Sequence, residues 1–287
     1  MTRKKKRKTG KAILILLLLL GAVVVAYLVF ESRMRDLRTN NVTNNAPEES
    51  IAEYDSSSVL EVLNGLQERT DRLPEYSISY RGSVWEQEER GEEYKDEVVM
   101  VVEKQHRVVR ANTHPFIDQV ARNAFYSSYV FLDEGVVVSC FGTDALCEEK
   151  RSMVEHLLTF SGNEVASALI LLENGMVRGR EEEPHSLASF DAHNVEARSC
   201  VPIFLEANGI MPGAKQILFS DISEGEIEFL KISLCLDEET GVLLDKRVEA
   251  SLGNVQIVTT ARFASFSRSS SGLYNPFVPE KVSSVFR

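Results

Sequence analysis

Histidine, serine and cysteine are the residues of this chain whose side chains could do chemistry, so their spacing comes first. The five histidines stand at positions 106, 114, 156, 185 and 193. They form neither an HExxH motif nor a repeated metal-ligand spacing. His185 and His193 flank Phe190 and Asp191, where a metal-binding or catalytic role is conceivable, but an exposed loop is the favoured interpretation. No serine lies in a GxSxG elbow, and no phosphate loop or dinucleotide fingerprint is present. The sequence therefore predicts a protein that is not an enzyme and that has no cofactor or metal site.

The chain has four cysteines, at positions 140, 147, 200 and 235. In a protein outside the cytoplasm, an even number of cysteines indicates disulfides. Three pairings are possible, and the favoured one joins Cys140 to Cys147 across a short loop and Cys200 to Cys235 between distant strands. A zinc site with four cysteine ligands is disfavoured, because the CxxC spacing that such sites use is absent.

The longest uncharged segment covers residues 12–30, and fourteen of its nineteen residues are Leu, Ile, Val or Phe. As a helix it would extend about 28 Å, close to the thickness of the hydrocarbon core of a bilayer. Seven Lys or Arg residues and no acidic residue precede it. The positive-inside rule therefore predicts a cytoplasmic basic segment at residues 1–11, a single membrane span at 12–30 and an extracytoplasmic location for the rest. A cleaved signal peptide is the alternative, although Val29-Phe30-Glu31 is a poor cleavage site. We expect a single-pass protein of the cell membrane.

Residues 31–55 are mostly polar and aperiodic, which predicts a flexible stalk between the membrane and a folded domain. Asn41 lies in an Asn-Val-Thr sequence and is a candidate N-glycosylation site. Beyond residue 11, 25 basic residues stand against 43 acidic ones, a formal charge of −18. A domain with this charge should repel nucleic acid, so no nucleic-acid partner is expected.

Two regions have helical periodicity. A capping box that begins at Ser58 predicts a helix over residues 58–70, followed by a switch to period two. The second region covers residues 150–174 and contains a second capping box that begins at Ser161.

Alternation of apolar and polar residues predicts about eight to ten strands. They are expected at residues 76–84, 97–103, 107–111, 126–140 (a hairpin), 199–206, 216–220, 226–236, 242–252 and 255–263. Residues 178–194 are predicted to be irregular. The order of elements predicts an α+β domain at residues 56–267, with a large, strongly curved antiparallel sheet and helices on its concave face. Residues 268–287 are predicted to form an extended C-terminal tail.

Three stretches of this domain carry a family resemblance. They are the sequences PEYSISYRG at residues 74–82, SLCLDEETGVLL at 233–244 and TTARFASF at 259–266. Together they resemble the LolA-like superfamily of lipoprotein carriers and localisation factors, which includes archaeal and bacterial surface proteins. The resemblance implies an unclosed β half-barrel wrapped around helices, with a hydrophobic cavity for acyl chains. Carriers of this family are often soluble or lipid-tethered, whereas this chain has a predicted membrane helix, and no position matches the functional residues of the family.

The alternating apolar residues are the part of the domain with a functional interpretation. Six of them are expected to face the helices: Tyr76, Ile78, Tyr80, Leu230, Ile232 and Leu234. They either pack a closed core or line a cavity that accepts a lipid or another hydrophobic ligand. The first alternative predicts a non-enzymatic interaction or sensory ectodomain with protein partners, and the second predicts a membrane-anchored hydrophobic-ligand binder.

Overall fold

A computed structural model of the chain describes residues 56–88, 91, 93–115, 126–141, 146–150, 152–190, 195–214, 225–269 and 282. The predicted anchor, the stalk with Asn41 and most of the predicted tail lie outside the described residues, so these assignments and the domain boundaries stay predictions. In the described part of the chain, no helix has both the length and the hydrophobicity to cross a bilayer.

The described residues form three helices and thirteen strands. The helices are α1 (Ser56–Arg72), α2 (Met153–Leu158) and α3 (Glu164–Glu173). The strands are β1 (Glu75–Glu88), β2 (Glu93–Gln105), β3 (Val108–Pro115), β4 (Tyr126–Phe131), β5 (Val136–Phe141), β6 (Leu146–Lys150), β7 (Val177–Glu181), β8 (His185–Ala188), β9 (Ala197–Ala207), β10 (Met211–Pro212), β11 (Glu226–Asp237), β12 (Leu243–Leu252) and β13 (Val255–Ser267).

All thirteen strands belong to one sheet, in which each described pair is antiparallel. The main path runs β6-β5-β4-β3-β2-β1-β13-β12-β11-β9-β7, while β8 pairs with β9 and β10 with β11. Because β6 and β7 end this path without meeting, the sheet is unclosed, as the sequence predicted. Strand β1 lies at the middle of the path, and its pairing with β13 joins the strands that precede α2 to those that follow α3.

Helix α1 forms because Val59, Leu63 and Leu66 recur at helical spacing and are buried together on one face. It begins at Ser56, two residues before the predicted start. The hydroxyl of Ser58 therefore does not cap the helix, and it donates instead to the carboxylate of Glu181, 3.2 Å away. The predicted capping role of Ser58 is wrong.

The second helical region is shorter than predicted, because residues 146–150 form strand β6 and residues 159–163 separate α2 from α3. Part of the predicted capping box is present: the backbone N–H of Ser161 donates to the carboxylate of Glu164 at 3.2 Å. The N-cap residue is Asn163 rather than Ser161. Helix α3 ends as predicted, since Gly175 has a positive φ of 65° and its N–H donates to the carbonyl of Leu172.

The predicted number of strands, eight to ten, is too low. The sequence analysis missed β6, β7, β8 and β10, which are two to five residues long. Residues 178–194 were predicted to be irregular, but they include most of β7 and all of β8, both paired with β9. These strands are too short to show alternation, so their pairing depends on the long neighbouring strand. The strand predicted at residues 216–220 lies outside the described residues.

Most of the buried apolar side chains form two clusters. The first, here the helix-packed cluster, combines α1, α2 and α3 with β7, β9, β11, β12 and β13; its members include Val59, Leu63, Leu157, Leu169, Leu205, Leu230, Ile232, Leu234 and Val248. The second, here the tyrosine cluster, lies mainly on β1, β2 and β3; its members include Tyr76, Ile78, Tyr80, Val84, Val98, Met100, Val102, Val109, Ala111 and Phe160. Among the described elements, the helices pack chiefly against β7, β12 and β13.

Both predicted disulfides are confirmed. Cys140 and Cys147 are directly opposite each other on β5 and β6. Cys200 and Cys235 join β9 to β11, with their Cα atoms 5.5 Å apart. All four cysteines of the chain are therefore oxidised.

Candidate functional site

One wall of the candidate site is built by the register of β1, β2 and β3. Tyr76 is opposite Lys104, and Tyr80 is opposite Met100, so these side chains lie side by side on the inner face of the sheet. Lys104 is in turn opposite Val109. Since side chains on alternate positions share a face, the inner surface here is a continuous row of apolar groups with a lysine at one end.

The opposite wall consists of the turn before α3 and the end of α1. Together the walls enclose a cavity of about 60 Å³. Gly162 in that turn has a positive φ of 76°, and a Cβ there would lie 3.0 Å from the Val109 side chain. The turn therefore packs directly onto β3, and only a glycine fits this approach without strain.

Lys246 of β12 closes one side of the cavity and is fully buried. Its ammonium lies 3.0 Å from the carboxylate of Glu164 and donates to the carbonyl of Thr159 at 2.5 Å. The ring centroid of Phe160 is 4.6 Å away. Burial lowers the pKa of Lys246, although the charge of Glu164 opposes this effect. The ion pair fixes the first turn of α3 to the sheet.

Lys104 of β2 lies at the other side of the cavity and is also buried. It donates to the carbonyls of Thr70 and Asp71 at 2.8 and 3.0 Å. These carbonyls are among the last of α1, so the lysine satisfies helix-terminal acceptors and offsets the negative end of the helix dipole. Burial lowers the pKa of Lys104, while the nearby Asp71 has the opposite effect.

The two tyrosines give the apolar wall a polar element. Tyr80 donates its hydroxyl to the carbonyl of Leu243 at 2.5 Å. Burial, with the negative charge of Glu164 as a smaller contribution, raises the pKa of Tyr76 and of Tyr80 above the usual value of tyrosine. Both phenols therefore stay protonated at physiological pH and act as neutral hydrogen-bonding groups.

The six residues that the sequence predicted for a hydrophobic ligand do not lie at one site. Tyr76 and Tyr80 line the cavity. Ile78, between them on the same face, is buried in the tyrosine cluster. Leu230, Ile232 and Leu234 are all buried in the helix-packed cluster. Only the first two residues therefore lie together at a cavity.

The sequence analysis missed most of the cavity. It found the apolar run of β2 but did not separate Met100 and Val102, which line the cavity, from the residues between them. It also missed Lys104, Lys246 and Glu164. A lysine in phase with buried positions, such as Lys104 two residues after Val102, was the available signal.

His185 lies on β8 beside the sulfur atoms of Cys200 and Cys235, with the three possible ligand atoms within 4.8 Å of one another. Because both sulfurs are committed to a disulfide, they offer no thiolate to a metal ion. His193 lies outside the described residues. The metal or catalytic alternative for this histidine pair therefore gains no support from the arrangement of His185.

No family model matches the chain, and no curated protein matches it in sequence. Among the solved structures that are similar to the chain, two cover more than three quarters of it. The first is a DUF1329 family protein from Desulfovibrio piger, with a TM-score of 0.37, 7% identity, and 79% of this chain and 98% of that chain covered. The second is a putative outer membrane lipoprotein-sorting protein domain from Vibrio parahaemolyticus, with a TM-score of 0.32, 8% identity, and 77% and 96% covered. The unclosed antiparallel sheet agrees with the LolA-like architecture that the sequence resemblance implied.

Proposed function

We propose that the domain binds a hydrophobic ligand, such as an acyl chain, between the tyrosine cluster and the turn that precedes α3. The observation that carries this proposal is the position of the cavity. Its wall is formed by Tyr76, Tyr80, Met100 and Val102 of β1 and β2, whereas the helices pack chiefly against β7, β12 and β13. Apolar side chains with a few placed polar groups are typical of small-molecule sites.

The proposal includes an opening step, because about 60 Å³ is far below the roughly 300–1,000 Å³ of small-molecule pockets. The part that moves is the turn of residues 159–163 with the first turn of α3. It is held by the Lys246–Glu164 ion pair and by the contact of Gly162 with Val109. When this turn is displaced, the tyrosine cluster becomes the floor of a larger groove.

Curvature of the sheet, as in a half-barrel, is part of the same proposal. Strands β3 and β7 are seven positions apart in the sheet order, which would be about 34 Å in a flat sheet. Helix α3 is only about 15 Å long, yet the turn before it contacts β3 and the helix itself contacts β7. A sheet that bends around the helices accounts for both contacts.

We also propose that residues 12–30 anchor the protein in the cell membrane, with the domain on the extracytoplasmic side. Two confirmed disulfides support this location. The charge-free segment and the seven preceding basic residues support the anchor and its orientation. A binder of acyl chains on such an anchor stays within reach of membrane lipids.

The test is photolabelling of the full-length protein in its membrane with a fatty acid that carries a diazirine. We expect label in the tryptic peptide of residues 96–104, which includes Met100, and none in the peptide of residues 199–215, which includes most of β9. The Met100→Trp variant fills the cavity and should lose the label, whereas the control Leu234→Met should keep it. Equal labelling of both peptides, or of both variants, contradicts the proposed site.

An interaction or sensory ectodomain with a filled core is the second candidate. The small volume of the cavity favours it, since most inner-face side chains already have packing partners. If no peptide of the domain is labelled while the protein is folded, this candidate replaces the ligand binder.

A further inference from the structure

A second concave site lies on the outer face of the sheet, opposite the cavity. It is a groove of about 460 Å³ across β2, β1, β13 and β12, and the segment after β8 forms one side. Five cationic residues line it: Arg81, Lys95, Lys246, Arg247 and Arg262. The ammonium of Lys246 is already paired with Glu164, so four cations remain for a ligand. We call it the basic groove. Its volume is within the roughly 300–1,000 Å³ range of small-molecule pockets.

The register of the strands concentrates these cations. Arg81 of β1 is directly opposite Arg262 of β13, and Arg247 of β12 is opposite Thr260, two positions along β13. Like charges directly opposite each other in a sheet are destabilising. An anion bound between them would remove this repulsion.

The floor of the groove offers hydroxyl groups. Ser83 is opposite Thr260, and their side-chain oxygens are 2.9 Å apart. Each hydroxyl can donate or accept a hydrogen bond. The arginines and the hydroxyl pair therefore surround one position on the sheet with hydrogen-bond donors.

Two of the guanidinium groups, those of Arg247 and Arg262, are only partly used by neighbouring acids. Arg262 donates through Nε to Asp245 at 2.8 Å, and Arg247 donates through Nε to Glu249 at 2.6 Å. Within the described residues, the terminal nitrogens of these two arginines make no further hydrogen bond. Such nitrogens form the planar fork that binds phosphate or carboxylate with two parallel hydrogen bonds.

The charge of the groove contrasts with the rest of the chain. With Lys246 set aside because it is paired with Glu164, four cationic residues stand against the two acids that line the groove, Glu97 and Asp245. The chain beyond residue 11, by contrast, carries 43 acids and 25 basic residues. Phe190 lies at the edge with 52% of its surface exposed. Its N–H donates to the carbonyl of Phe263 at 2.8 Å, and its ring centroid is 5.3 Å from the guanidinium of Arg81.

We propose that the basic groove binds a phosphate-bearing molecule. The phosphate lies among Arg81, Arg247 and Arg262 above the Ser83–Thr260 hydroxyl pair, and Phe190 packs against the adjoining apolar part. The phosphate belongs either to a soluble phosphate monoester or to a lipid headgroup, in which it is a diester. This site is on the opposite face from the proposed acyl-chain site and does not depend on it.

The test is calorimetric titration of the detergent-solubilised full-length protein at constant ionic strength. The probes are phenyl phosphate, a monoester, and glycerophosphoglycerol, a soluble diester headgroup. We expect saturable millimolar or tighter binding of one probe, and the stronger probe identifies the source of the phosphate. The double variant Arg81→Gln/Arg247→Gln should weaken binding by at least about tenfold, because each arginine contributes charge-assisted hydrogen bonds.

The control Arg178→Gln/Arg268→Gln removes two exposed arginines outside the groove and changes the net charge equally. It should change the affinity less than twofold. A Phe190→Ser variant should weaken phenyl phosphate but not inorganic phosphate. The proposal is overturned if neither probe binds at millimolar concentration, or if the groove variant and the control lose affinity equally.

Discussion

The two buried clusters of this domain come from the same sequence pattern but differ in what completes them. In the helix-packed cluster, Leu230, Ile232 and Leu234 meet aliphatic side chains of three helices. In the tyrosine cluster, Tyr76 and Tyr80 meet a turn, two buried lysines and a cavity. Alternation in a strand thus defines which face is buried, but not whether the opposite side is filled. Only the second cluster combines apolar surface with groups that could select a ligand.

Breaking the Lys246–Glu164 ion pair at the cavity should cause the largest loss of stability. Lys246→Met leaves Glu164 buried without its cation, which should cost about 3–5 kcal/mol in the free energy of unfolding. The double variant Lys246→Met/Glu164→Gln removes both charges and should recover part of this loss. Urea unfolding of the three proteins measures the difference. If the single and double variants are equally stable, the pair does not hold α3 to the sheet.

The two disulfides should differ in their contributions. Cys200 and Cys235 are 35 residues apart, and Cys140 and Cys147 are seven apart. In the chain-entropy model, the longer loop contributes about 4 kcal/mol and the shorter about 2.4 kcal/mol. Replacing each cysteine pair by serine and measuring the free energy of unfolding in urea tests which disulfide contributes more. A larger loss for the Cys140–Cys147 pair would show that native-state packing, rather than loop length, dominates.

Truncating one side chain in each cluster should show which cluster is filled and which borders a cavity. Leu234→Ala removes a fully buried side chain from the helix-packed cluster and should cost about 2–5 kcal/mol. Met100→Ala should cost less, because Met100 already borders empty space and loses fewer contacts. It should also increase uptake of the photoreactive fatty acid. Urea unfolding and labelling of both variants provide the measurements, and equal costs would remove the proposed difference in packing.

The smallest expected effect is the change in stability at low pH when Asp237 is replaced. Burial alone would raise the pKa of Asp237, but hydrogen bonds from Arg198 and Thr240 hold it below the usual value of aspartate. A carboxyl with a depressed folded-state pKa stabilises the fold fully above its unfolded pKa of about 3.9, and this contribution is lost as the pH falls through the folded pKa. Asp237→Asn should therefore flatten the stability profile below about pH 4. Identical acid-unfolding curves for both proteins would contradict this.

Long strands could be predicted because each carries its own signal. Strand β11 alternates Leu230, Ile232 and Leu234 with polar residues over its length, and the alternation of Tyr76 and Tyr80 placed β1 correctly. The short strands β7 and β8 could not be predicted, because neither is long enough to show alternation. Their position is determined by pairing with the longer strand β9.

The candidate site was predicted only in part, because several of its residues are determined by partners that are distant in sequence. Tyr76 and Tyr80 follow from alternation, but Lys104 and Lys246 are usually solvent-exposed residue types. They are buried because helix-terminal carbonyls and Glu164 reach them, and these partners come together only in the folded domain. The disulfide pairing was predictable, because loop length and the expected strands favoured one arrangement.

Among the described residues, the two end strands of the sheet also affect how copies of the protein meet. An unpaired strand can accept a strand from another molecule, which is a route to aggregation. The exposed residues Glu148 and Glu149 lie on β6 at one end, and Glu182, Glu183 and Pro184 interrupt the other end between β7 and β8. Negative charge and a proline at these ends should keep neighbouring molecules apart.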